Sequence, residues 1–108
     1  MLKLLKALLQ ELDLFILNFE EAKRKSDKAR CLYALHRLKA GLVYLEPTPE
    51  ILRINDTLHE LNALKAPEKV EEYLHSEKIF LLMTGFTKER FFLAQEIARI
   101  SEKHNRND

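Results

Sequence analysis

Apolar residues recur at intervals of three and four along almost the whole chain, and no stretch sustains the two-residue alternation of a half-buried strand. Leu5, Leu8, Leu12, Phe15 and Phe19 form one such stripe, on a helix expected from residue 2 to 25. Cys31, Leu35, Leu38, Leu42 and Leu45 form a second, on a helix expected over 27–46, and Ile51, Ile54, Leu58 and Leu61 a third. A helix with one apolar stripe must bury it against another element. Successive helices of this kind joined by short turns imply an all-α fold, an up-and-down helical bundle with a four-helix core.

The breaks between stripes carry helix start and stop signals. Lys23, Arg24 and Lys25 complement the negative end of the first helix dipole, and Ser26 is placed to cap the second helix with Asp27 at its first position. Glu46-Pro47-Thr48-Pro49 ends that helix: Pro47 disfavours helical geometry at Glu46, Thr48 is a good cap and Pro49 suits the next first turn. Lys65-Ala66-Pro67 marks another boundary. A fourth helix is then expected over about 68–84, to be broken at Gly85, with Thr87 capping a fifth that runs to about His104 and frays over 105–108. One long kinked helix over this region would read much the same.

At 108 residues the chain reads as one domain, 1–108, with enough apolar content (46%) for a single core. A formal net charge of +1, with acidic and basic residues interspersed outside the second helix, argues against nucleic acid as a partner. The apolar start of the chain is interrupted too early, by Gln10, Glu11 and Asp13, to be a signal peptide. The longest apolar run, Ile79–Met83, is far too short for a bilayer, so no membrane association is expected. A single cysteine, Cys31, on the core stripe reads as a structural thiol in a reducing, cytoplasmic setting.

The second helix carries the chemistry. At about 100° per residue, His36 lies more than about 100° from the centre of its stripe and so faces solvent. Lys39, three residues on, sits nearer the stripe and can extend its ammonium outward. Leu32, Tyr33, Ala40 and Val43 flank the histidine, and no acidic residue lies between Lys28 and Leu45 although Lys28, Arg30, Arg37 and Lys39 all do. This is an apolar rim overlaid with positive charge, a surface suited to an acidic partner. A neutral imidazole, with an unperturbed pKa of about 6.5, is a competent nucleophile near neutral pH. Neighbouring cations can stabilise the charge on a transferring phosphoryl group. The chain has no Gly-rich nucleotide loop, so any phosphoryl group would come from another protein.

The run His36-Arg37-Leu38-Lys39-Ala40-Gly41 resembles the His-x-x-Lys-Gly motif of histidine-containing phosphotransfer (HPt) domains. The resemblance extends over residues 11–64: an apolar and acidic helix (Glu11 to Glu21), a polar turn (Ser26 to Arg30), the histidine helix, and a Leu/Glu-rich segment at Thr57-Leu58-His59-Glu60-Leu61. Ala40 stands where the family usually has Gly, with Gly41 one place later, and residues 42–46 are bulkier than is common there. The resemblance implies a phosphorelay carrier in which His36 accepts phosphate from the aspartyl phosphate of a response-regulator receiver domain and passes it to another receiver. Lys39 would give electrostatic support, and Leu32, Tyr33, Arg37, Ala40 and Val43 would form the docking surface. It implies no enzyme activity with an ATP site and no cofactor or metal on this chain, the Mg²⁺ being held by the receiver; a hybrid sensor kinase is a further implied partner.

Three other readings stand beside this one. An isolated helical histidine is most often simply solvated. Asp56-x-x-His59 and Glu72-x-x-His75 have the spacing of bundle metal ligands, but no expected core stripe contains the further carboxylates such a site needs. The main alternative is a non-catalytic helical adaptor or regulatory domain that binds a protein through the patch around His36, in one variant an HPt-like bundle occupying a kinase's docking surface. Phe91-Phe92 and Tyr73 read as packing residues, with one of the adjacent Phe pair left exposed.

Overall fold

Helices form where the sequence carries its stripes. The structure, a computed structural model, describes residues 2–42 and 49–106. They comprise α1 (Leu2–Arg24), α2 (Lys28–Gly41), α3 (Pro49–Ala63), α4 (Pro67–Leu74) and α5 (Glu77–Arg106), with no strand among the described residues. The all-α bundle is therefore the fold. Helix α1 packs on α2 and on α5, α3 also packs on α2 and α5, and α4 is a short element against α5. Pairing of Asp13 with Arg90 and of Phe15 with Phe86 shows α1 and α5 running antiparallel.

The core is the set of stripe residues. Leu8, Leu12, Phe15, Phe19 and Ala22 of α1 meet Cys31, Ala34, Leu35, Leu38 and Leu42 from α2 and its C-terminal cap, Ile54, Leu58 and Leu61 of α3, and Ile79, Leu82, Met83 and Phe86 of α5. Leu5 is only half-buried. Phe15 sits between two rings, 5.3 Å from Phe19 and 5.2 Å edge-on from Phe86, a geometry that adds quadrupole attraction to area burial.

The α1–α2 turn corrects the expected cap by one residue. Ser26 does not cap α2. It adopts a left-handed conformation (φ 51°) and closes α1, its N–H donating to the Lys23 carbonyl at 3.0 Å while the Asp27 N–H donates to that of Ala22 at 2.9 Å. This is the glycine position of a Schellman closure, filled by serine. Asp27 is the N-cap of α2, its carboxylate accepting from the Arg30 N–H at 3.1 Å. Helix α2 also ends earlier than expected, at Gly41 instead of residue 46. The Leu42 N–H donates to the Leu38 and Lys39 carbonyls as the cap, and glycine is the weakest helix former in that turn. Leu45, the proline break at Pro47 and the Thr48 cap lie outside the described residues. Pro49 and Pro67 each begin a helix, as expected.

The helix break expected at Gly85 is at His75–Ser76 instead. Ser76 Oγ donates to the Tyr73 carbonyl at 2.6 Å and accepts from the Ile79 N–H at 3.5 Å, closing α4 and opening α5 in one residue. Gly85 lies in the interior of α5, with no positive φ. Thr87, expected as a cap, instead donates its hydroxyl to the Met83 carbonyl one turn back, at 2.9 Å, which leaves the helix intact. Helix α5 also includes residues 105 and 106, expected to fray; 107 and 108 lie outside the described residues.

Candidate functional site

Residues Lys28–Gly41 of α2 are wedged between α1 and α3, and this fixes which way each side chain looks. Cys31, Ala34, Leu35 and Leu38 point into the core. The opposite side exposes Ala29, Arg30, Tyr33, His36, Arg37 and Ala40 as one solvent-facing stripe. His36 is thus outward, as its phase requires, with Tyr33 and Ala40 at neighbouring turns of the same stripe. Lys39 is exposed and Leu32 half-buried on the side towards α3. Val43, the remaining expected docking residue, lies outside the described residues.

The cations of α2 do not act as one patch. Lys28 donates through Nζ to the carbonyls of Asn62 (3.2 Å) and Leu64, clamping the negative end of α3. Arg30 pairs with the capping carboxylate of Asp27 at 3.5 Å. Arg37 reaches across to Glu11 of α1, Nε to Oε2 at 3.5 Å, and this hydrogen bond raises the guanidinium pKa further above its ordinary value, with Tyr33 adding a smaller contribution. Among the described residues, Lys39 has no ion-pair partner. Lys39, three residues from His36, is thus the cation of α2 with neither an ion-pair nor a side-chain hydrogen-bond partner among the described residues. At that spacing the two side chains are helix-surface neighbours.

Tyr33 and Arg37 border a narrow crevice between α1 and α2, whose other walls include Glu11, Leu14 and Asn18. Gly41 faces the same flank: a Cβ built there would lie 3.4 Å from Glu11 Cγ, an ordinary contact. The glycine one place beyond the motif position thus lies where α2 approaches α1, and the small residue exposed one turn after His36 is Ala40.

Cys31 is fully buried behind the site, and desolvation, with Asp27 a lesser contributor, pushes its thiol up to about 12. It is a packing residue. The Asp56/His59 and Glu72/His75 pairs remain exposed on their helices, and no cluster of three or more His, Cys, Asp or Glu that could hold a metal ion occurs among the described residues. No described helix is long and apolar enough to cross a membrane. The Phe91–Phe92 pair departs from expectation, since both rings are exposed. Sequence reasoning missed Glu11 as a site neighbour, because nothing local to α2 announces an ion pair from 26 residues away. No protein-family model, curated protein or solved structure matches the chain.

Proposed function

We propose that this chain is a histidine phosphotransfer protein, with His36 as the phosphate carrier and Lys39 as its electrostatic support. The observation that carries the reading is an outward imidazole three residues from an exposed ammonium with no ion-pair partner among the described residues, on a helix braced from both sides. In the forward step a ring nitrogen of neutral His36 attacks the phosphorus of a receiver's aspartyl phosphate. The P–N bond forms as the acyl P–O bond breaks, the aspartate leaves as a carboxylate, and the proton on the other ring nitrogen can pass to solvent. Lys39 meets the charge on the phosphoryl oxygens, and the receiver supplies Mg²⁺ at its own aspartate. Ala40 gives a receiver room to close on the imidazole, while Leu32, Tyr33, Arg37 and Val43 complete the docking surface. Transfer to a second receiver reverses the step. Such a relay between receivers and a hybrid sensor kinase would operate in the cytoplasm.

A second reading, an adaptor that docks a protein without phosphoryl chemistry, draws on the exposed Tyr33 beside the α1–α2 crevice. One experiment separates the two. The chain and its His36→Gln variant are incubated with phosphorylated, Mg²⁺-loaded receiver domains. Acid-labile, alkali-stable label on the wild type alone is the expected result. Absence of label across a broad receiver panel, from protein shown to be folded, refutes phosphotransfer and leaves the adaptor.

A further inference from the structure

Helix α5 has two apolar seams and the bundle buries one of them. Ile79, Leu82, Met83 and Phe86 face the core, while Phe80, Phe91 and Phe92 on the outer side are 63%, 55% and 62% exposed. Phenylalanine is among the residues most often buried, so three exposed on a single helix call for a cause. Phe80, Thr84, Thr87, Phe91, Ala94 and Ala98 follow one another at intervals of four, three, four, three and four, the spacing of a second packing seam. Its two hydroxyls are already satisfied: Thr84 donates to the Phe80 carbonyl at 2.8 Å and Thr87 to that of Met83 at 2.9 Å. Those donors need no water, so the surface between the Phe residues can be dried at low cost.

We infer that this seam is a homodimer interface, in which α5 packs antiparallel on α5 of a second copy about a two-fold axis near Glu89. The seam is self-complementary in that register and in no parallel one. Phe80 faces the partner's Ala98, Thr84 faces the partner's Ala94 and Phe91 faces the partner's Thr87, so each ring meets a small side chain. On the flank, Lys88 comes opposite the partner's Phe92, where its ammonium can sit over the ring, and Glu77 comes near the partner's Arg99. The area suffices. Rings of about 200 Å² leave roughly 350 Å² of aromatic surface in water per protomer. Two copies can therefore remove at most about 700 Å² through the rings, and Leu81, the Thr methyls and the alanines extend this towards the roughly 1,200 Å² at which stable interfaces begin. Helices α1 and α3 lie between α2 and α5, so both His36 faces stay open in the dimer.

Sedimentation of the purified chain tests this. The wild type is expected to be a dimer at micromolar concentration, and Phe91→Glu to weaken association by at least about thirty-fold with helical circular dichroism unchanged. Leu52→Glu, at an exposed residue on the outer face of α3, should leave association as it is. Spin labels on Lys88→Cys should then report a short distance between protomers and those on Lys103→Cys a separation of about 40 Å, as antiparallel α5 helices require. A wild type that stays monomeric at about 100 µM overturns the proposal and leaves the seam to a different protein. So does a dimer that survives both Phe80→Glu and Phe91→Glu, or a short distance at both label positions.

Discussion

Replacing Lys28 with Met tests whether a single cation ties the site helix to α3. Lys28 is the first residue of α2, where a positive charge opposes the helix dipole, and removing it there should stabilise by about 0.3–1 kcal/mol. Against this stand two hydrogen bonds from the ammonium to the Asn62 and Leu64 carbonyls at the end of α3. Hydrogen bonds to a charged group are worth about 1.5–3 kcal/mol each when shielded. The Asn62 contact is exposed and the Leu64 contact only partly buried, so solvent screening brings the pair down to about 2–3 kcal/mol together. Met keeps most of the aliphatic stem, and the expected net loss is therefore about 1–2 kcal/mol. Urea denaturation followed by circular dichroism should show a midpoint lowered by about 1 M with an unchanged slope. Lys39→Met, at an exposed lysine without an ion-pair partner among the described residues, should change stability by less than about 0.5 kcal/mol. If Lys28→Met were neutral or stabilising, the dipole would outweigh the clamp and the α2–α3 tie would not exist.

Ser26→Gly should stabilise the fold by about 0.5–1 kcal/mol, since glycine occupies φ 51° without the Cβ penalty; a loss in thermal or urea denaturation would refute the left-handed closure. Gly85→Ala should also stabilise, by about 0.5–1 kcal/mol, because the position lies within a continuous helix; marked destabilisation would return the helix break to Gly85. Stability should fall at alkaline pH. Folded Cys31 and Tyr73 titrate at about 12, both held up chiefly by desolvation, whereas the unfolded thiol and phenol release their protons near 8.5 and 10. The raised folded values mean full stability below about pH 8.5 and a decline as pH rises towards 12, of up to about 1.4 kcal/mol per pH unit for each group within its window. Cys31→Ala should flatten the decline measured between about pH 9 and 10 by urea titration, and an unchanged slope there would show that burial does not hold the thiol proton.

Much of the bundle can be read from the chain because its stripes are long and periodic. Leu8, Leu12, Phe15 and Phe19, or Ile54, Leu58 and Leu61, permit one helical face and are buried on it. Punctuation was less legible where one residue type can serve two ends. Ser26 offers a capping hydroxyl, yet the neighbouring Asp27 is the stronger acceptor for the α2 amides, which frees Ser26 to close α1. At the α4–α5 junction the visible breaker was Gly85, but a lone helical glycine costs only about 1 kcal/mol. Burial of Leu82, Met83 and Phe86 around it outweighs that cost and carries the helix through. Ser76, with a hydroxyl that both donates and accepts, holds the real break, and in sequence it looks like any other serine.

The site divides along the same line between local and distant causes. The outward direction of His36 follows from phase alone, because the four buried residues of α2 leave it nowhere else to point. Its electrostatics do not follow. From the sequence, Lys28, Arg30, Arg37 and Lys39 form one basic stretch with no acidic residue among them, and Lys39 is singled out only by its spacing from His36. In the fold three of them are engaged by groups outside α2: the end of α3, the Asp27 cap and Glu11 of α1. Among the described residues Lys39 alone of the four has no such partner, which the local sequence does not reveal. A solvated histidine on a generally basic helix would have several cations of equal standing nearby. Under the phosphotransfer proposal Lys39, the one cation of α2 with neither an ion-pair nor a side-chain hydrogen-bond partner among the described residues, is the ammonium that would meet the phosphoryl oxygens.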